Sequence, residues 1–107
     1  MNMAKLQREI HENAVAHGWW DEPRTFGDVI ALCHSELSEA LEAHRNGEAM
    51  AWTNEAGKPE GVAVEMADCI IRILDWAGHE GMDMETLVWR KHEYNKTRPY
   101  RHGGKAL

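Results

Sequence analysis

Four carboxylates stand in two pairs of equal spacing, Glu36-x-x-Glu39 and Glu65-x-x-Asp68. Residues three apart share a helix face, so each pair presents its acids side by side if its segment is helical. The neighbours three or four residues away are mostly apolar: Leu32, Cys33 and Ala40 for Glu36; Gly61, Val62 and Cys69 for Glu65; Val64 and Ile71, with Arg72, for Asp68. Acids among apolar neighbours are costly unless something positive meets them. If two such helices lie antiparallel, four carboxylates converge. At about 4 Å and an effective dielectric near 20, each like-charged pair repels by about 4 kcal/mol. Such a group needs protons, salt bridges to Arg45 or Arg72, or a divalent cation. Hard oxygen ligands suit Mg²⁺, with Mn²⁺ as a substitute. Other acid pairs, Glu9 with Glu12 and Glu80 with Asp83, lie on a more polar face or in a Gly-flanked stretch. A di-iron bundle would want Glu-x-x-His on two helices, and no Glu here has a His three residues later. His34, His44 and His79 read as ordinary polar or packing positions.

The elements that must position these acids read as helices. Met3, Leu6, Ile10, Ala14 and His17 recur at helical spacing, and Gly18 ends that run. Trp19 and Trp20 follow in a loop. Thr25 with Asp28 predicts a capping box opening a helix over about 26–45. Residues 46–58 have no clean period and read as a flexible loop, with Trp52 free to contact a partner or ligand. The stretch 59–78, PEGVAVEMADCIIRILDWAG, reads as a buried helix begun at Pro59 and stopped at Gly78, because apolar residues cover most of its circumference. Asp83 predicts the N-cap of a last helix over about 84–97, ended by Pro99. No run predicts a strand.

Composition limits the classes. A length of 107 residues and a hydrophobic fraction of 43% fit one globular domain. Five Trp and six Met in so short a chain leave apolar surface for a partner. No apolar run approaches the ~20 residues of a membrane span, and the first residues lack a signal-peptide core. Cys33 and Cys69 have no metal-binding spacing and read as buried hydrophobes of a cytoplasmic protein. The net charge of −6 is unevenly spread. Residues 1–89 carry six basic and seventeen acidic residues, and residues 90–107 six basic and one acidic. This arrangement suits a ligand with both cations and phosphates, set between an acidic pocket and a basic arm.

HSELSEALEAHR followed, after a loop, by GVAVEMADCIIRILD resembles the MazG-like all-α nucleoside triphosphate pyrophosphatases, whose motif is ExxE, a spacer, then ExxD. Residues 40–64 form the spacer, and KHEYNKTRPYRHGGK resembles the family's C-terminal segment. The resemblance covers about residues 26–105. It implies an all-α bundle of four to five helices over residues 1–107, dimeric or a dimer of dimers, with 98–107 a flexible basic tail. It implies Mg²⁺-dependent cleavage of a (d)NTP to the monophosphate and pyrophosphate, as in cleaning of the nucleotide pool. Glu36, Glu39, Glu65 and Asp68 would hold the metal. Glu39 would orient the water that attacks the α-phosphorus. Lys91 would neutralise phosphate charge, with Asn95 one turn on. Arg98, Arg101, His102 and Lys105 would fold over the triphosphate, and Trp19 and Trp20 would stack on a base. The helix carrying ExxE ends in Arg45-Asn46, without the aromatic that some relatives use to shape a base pocket.

Two alternatives remain. One stays within the superfamily, a dimeric dUTPase or a phosphoribosyl-ATP pyrophosphatase-like enzyme. The other is a non-catalytic helical dimerisation or regulatory module. Nucleic-acid binding through the basic tail is disfavoured by the acidic body, which would repel a phosphate backbone.

Overall fold

The computed structural model describes residues 2–101. Among these, four helices run in chain order: α1 (Met3–Ala16), α2 (Phe26–Arg45), α3 (Val62–Glu80) and α4 (Met84–Lys96). A two-residue hairpin, β1 (Trp52–Thr53) and β2 (Pro59–Glu60), stands between α2 and α3. The chain is therefore mostly helical, as its periodicities predict. No described helix is long and apolar enough to cross a membrane.

The caps follow the sequence. Thr25 accepts from the Asp28 amide while the Asp28 carboxylate accepts from the Thr25 amide, satisfying two N-terminal donors of α2 reciprocally. Asp83 accepts from the Thr86 amide and opens α4.

Two boundaries of the central helix differ from expectation. Pro59 does not begin α3; it lies in β2, opposite Thr53 in an antiparallel register. Asn54 closes the hairpin by accepting from the amides of Ala56 and Lys58, an Asx-type turn that gives the stretch more order than a flexible loop. Gly61, with φ +123°, then turns the chain from strand into helix. The first amides of α3 are met by backbone: Val62 donates to Ala49 O at 3.2 Å and Ala63 to Met50 O at 2.8 Å. At the other end, α3 runs through Gly78 and is capped by Gly81. Gly78 serves packing, since a Cβ there would lie 2.6 Å from the Cβ of His11 on α1. Its missing side chain lets α1 cross α3 closely.

α3 packs against both α2 and α1, and α4 rests on α1. The α2–α3 pairings run in opposite order along the two helices, from Phe26 beside Trp76, through Cys33 with Cys69, to Glu39 beside Glu65. The two helices are thus antiparallel. The buried apolar residues are mostly small: Ala14, Val29, Cys33, Ala40, Ala43, Cys69, Leu74 and Ala77. Burial pushes the Cys33 thiol up, which suits an inert core cysteine. The all-round burial expected of α3 does not hold within one chain, because Met66, Ile70, Ile71 and Ile73 are exposed. The interior is too thin to cover them.

Candidate functional site: a carboxylate cluster opening on a cavity

The antiparallel pairing of α2 and α3 brings the two acid pairs together. Glu36, Glu65 and Asp68 each place a carboxylate oxygen within 4.8 Å of the others. Glu36 is buried, and Glu65 and Asp68 are half-buried. Glu39 is exposed at the rim, beside Glu65. Burial pushes the Glu65 carboxyl up to about 7, helped by hydrogen bonds to Glu39 and Glu36 and by the charges of Glu39 and Asp68. Asp68 is also raised, by burial first and then by the charge of Glu36, against the pull of Arg72 and Lys58. The repulsion expected from the spacing is thus expressed at two of the four acids.

One cation answers it directly. Arg72 Nε donates to Glu36 Oε1 at 2.8 Å. This is one of the two salt bridges anticipated from the sequence; Arg45, at the far end of α2, makes none among the described residues. Arg72 engages a single oxygen of the cluster, and Glu65 retains its raised pKa beside it. A set of carboxylate oxygens drawn from two helices and short of positive charge has the donor chemistry of a hard divalent cation.

Beside the cluster lies a cavity of about 500 Å³. Its lining includes Glu36, Asp68 and Arg72, with Trp19, Trp20, Arg24, Asp75 and Asn13. Arg24 and Arg72 both sit over the Trp19 ring, 4.8 and 5.7 Å from its centroid. Arg24 is anchored by donating to Trp19 O at 2.8 Å. Trp20 is stacked on His79, centroids 3.8 Å apart, and its indole N–H donates to Asp75. One face of Trp20 is therefore already covered, and Trp19 already carries guanidinium groups. Both tryptophans line the cavity, but they are walls tied to the protein rather than bare stacking platforms.

The remaining expected contacts lie elsewhere. Lys91, Asn95, Arg98 and Arg101 do not line this cavity. Lys91 and Asn95 are exposed on α4, which has no buried residue, and the Lys91 ammonium sits 5.1 Å from the Tyr94 ring centroid. His102 and Lys105 fall outside the described residues. Sequence reading missed Arg24, Asn13 and Asp75. Asp75 carried a signal, because Asp68, Ile71, Arg72 and Asp75 follow helical spacing along one face of α3. Arg24 and Asn13 come from other segments and carried none.

Comparison of this chain with family models, with curated proteins and with solved structures found no match.

Proposed function

We propose that the chain is a divalent-cation-dependent nucleoside triphosphate pyrophosphohydrolase that releases pyrophosphate and a nucleoside monophosphate. The observation that carries this reading is the carboxylate cluster from ExxE and ExxD, short of countercharge and opening on a cavity large enough for a nucleoside. The resemblance of these motifs to the MazG-like family supports it independently of the cavity.

In this reading Glu36, Glu65 and Asp68 hold Mg²⁺, or Mn²⁺ in its place. The bound ion would polarise phosphate oxygens and lower the pKa of a water molecule. Glu39, exposed at the rim beside Glu65, orients the attacking water and accepts its proton. Arg72 and Arg24 are the cations of the cavity itself, and phosphate charge is assigned to them first. Lys91 and Asn95, on α4, are phosphate contacts from outside that lining. The Trp19 and Trp20 walls enclose the sugar and base.

The same reading takes a second copy of the chain as the cover for α2 and α3. Leu37 and Leu41 on α2, with Met66, Ile70 and Ile73 on α3, are exposed large apolar residues on helices that pack together. Exposed large apolar residues gathered on two neighbouring helices suit an association face.

A structural role for the acids, in a non-catalytic dimerisation module, is favoured by the Arg72–Glu36 bond. It leaves Glu65 uncompensated and the cavity without a use. Calorimetric titration of Mg²⁺ into the wild type, Glu36→Gln and Asp68→Asn separates the two. Heat of binding in the wild type that is lost in both variants supports the enzyme. Equal heats, or none in any of the three, would remove the cation site.

A further inference from the structure

The cavity reaches a second fixed carboxylate away from the cluster. Asp68 and Asp75 lie seven residues apart on α3, about 10 Å along the helix axis, and both line the cavity. Asp75 is not a free surface acid. Its side chain is 19% exposed, and His11 Nδ1 lies 2.8 Å from Oδ1. The Trp20 indole N–H donates to Oδ1 at 2.9 Å and to Oδ2 at 3.1 Å. Trp20 is in turn clamped by the His79 ring stacked on it. The carboxylate is therefore held in place from two sides.

An ionised carboxylate only accepts hydrogen bonds and has about four acceptor sites. Trp20 and His11 leave Asp75 with acceptor capacity, most of it on Oδ2, and the group borders the cavity. A ligand N–H is welcome beside it, and a ligand carbonyl oxygen is repelled. An exocyclic amine of a base matches that acceptor capacity.

Resting on the pyrophosphohydrolase reading, we propose that Asp75 selects the base at the end of the cavity away from the carboxylate cluster. Nucleoside triphosphates whose base carries an exocyclic amine are preferred over counterparts with a carbonyl at the same ring position. The function of Asp75 is specificity. It lies two helical turns from the cluster and takes no part in holding the cation.

The test compares kcat/KM for CTP with UTP and for ATP with inosine triphosphate, in ribo and deoxy forms, with Mg²⁺. Each pair exchanges an exocyclic amine for a carbonyl and, with it, the adjacent ring nitrogen from an acceptor to an N–H. A hydrogen bond to a charged group predicts a preference of about 10-fold or more for the amine member of any pair turned over. In Asp75→Asn, whose amide also donates, that ratio falls toward one, while the calorimetric Mg²⁺ binding of the wild type is kept. A loss of ratio with Mg²⁺ binding retained is not the result of a misfolded variant. Should that variant fail to fold, the wild-type ratios alone decide. Turnover with equal rates, or faster turnover of the carbonyl members, overturns the assignment of Asp75 and leaves the hydrolase standing. No pyrophosphate from any nucleotide overturns both.

Discussion

Replacing Glu65 with Gln is predicted to stabilise the cation-free protein at alkaline pH. The Glu65 carboxyl is pushed up to about 7 from 4.5. Between those values the folded chain keeps a proton that the unfolded chain has released. Stability therefore falls as pH rises through that window, the reverse of a salt-bridged acid. At about 1.36 kcal/mol per pKa unit, the full interval amounts to at most about 3 kcal/mol. Glu65 is only half-buried, so solvent screening lowers the expected effect to about 1–2 kcal/mol. Glutamine keeps the shape and the hydrogen-bond donor of the protonated acid and never ionises. The assay is urea denaturation of both proteins in EDTA at pH 5 and pH 8.5. The two are expected to be nearly equal at pH 5, with Glu65→Gln more stable by about 1–2 kcal/mol at pH 8.5. Adding Mg²⁺ at pH 8.5 is expected to stabilise the wild type and not the variant, because only the wild type keeps the ligand. A variant less stable than the wild type at pH 8.5 in EDTA would refute the electrostatic reasoning. A stability difference independent of pH would do the same.

Gly61→Ala is expected to lower stability by more than about 2 kcal/mol, read from its denaturation midpoint, because φ is +123° and the new Cβ would meet Met50 O at 2.5 Å. Since Gly61 sets the start of α3, the same variant is expected to lose Mg²⁺ binding. If a second copy covers the exposed apolar face of α3, as proposed, Ile70→Asp shifts sedimentation from dimer to monomer while leaving the helical circular dichroism in place. A wild type that sediments as a monomer, or a variant that sediments as a dimer, would remove the second copy from this face.

The acid pairs were legible because helical spacing alone aligns Glu36 with Glu39 and Glu65 with Asp68, and because one antiparallel packing joins them. The caps at Thr25 and Asp83 were legible for the same local reason. Pro59 and Gly78 were misread because both residues suit helix ends, whereas here their roles are tertiary. Pro59 sits on a hairpin whose neighbouring carbonyls, of Ala49 and Met50, receive the first amides of α3. Gly78 makes room for His11, sixty-seven residues away in the chain. The cavity was invisible in the sequence because its lining is drawn from α1, the Trp19–Arg24 segment, α2 and α3. The basic residues of α4 drew attention by charge, yet the cations beside the acids are Arg72 and Lys58, and the cavity adds Arg24, each isolated in sequence.

Product analysis decides whether these four carboxylates serve phosphoanhydride cleavage: the purified chain is incubated with the standard NTPs and dNTPs, in Mg²⁺ and in EDTA, beside Glu36→Gln and Glu65→Gln. Nucleoside monophosphate and pyrophosphate are expected in equal amounts from the wild type in Mg²⁺, and neither in EDTA or in the folded variants. Release of orthophosphate with a nucleoside diphosphate, or pyrophosphate release undiminished in both variants, would contradict it.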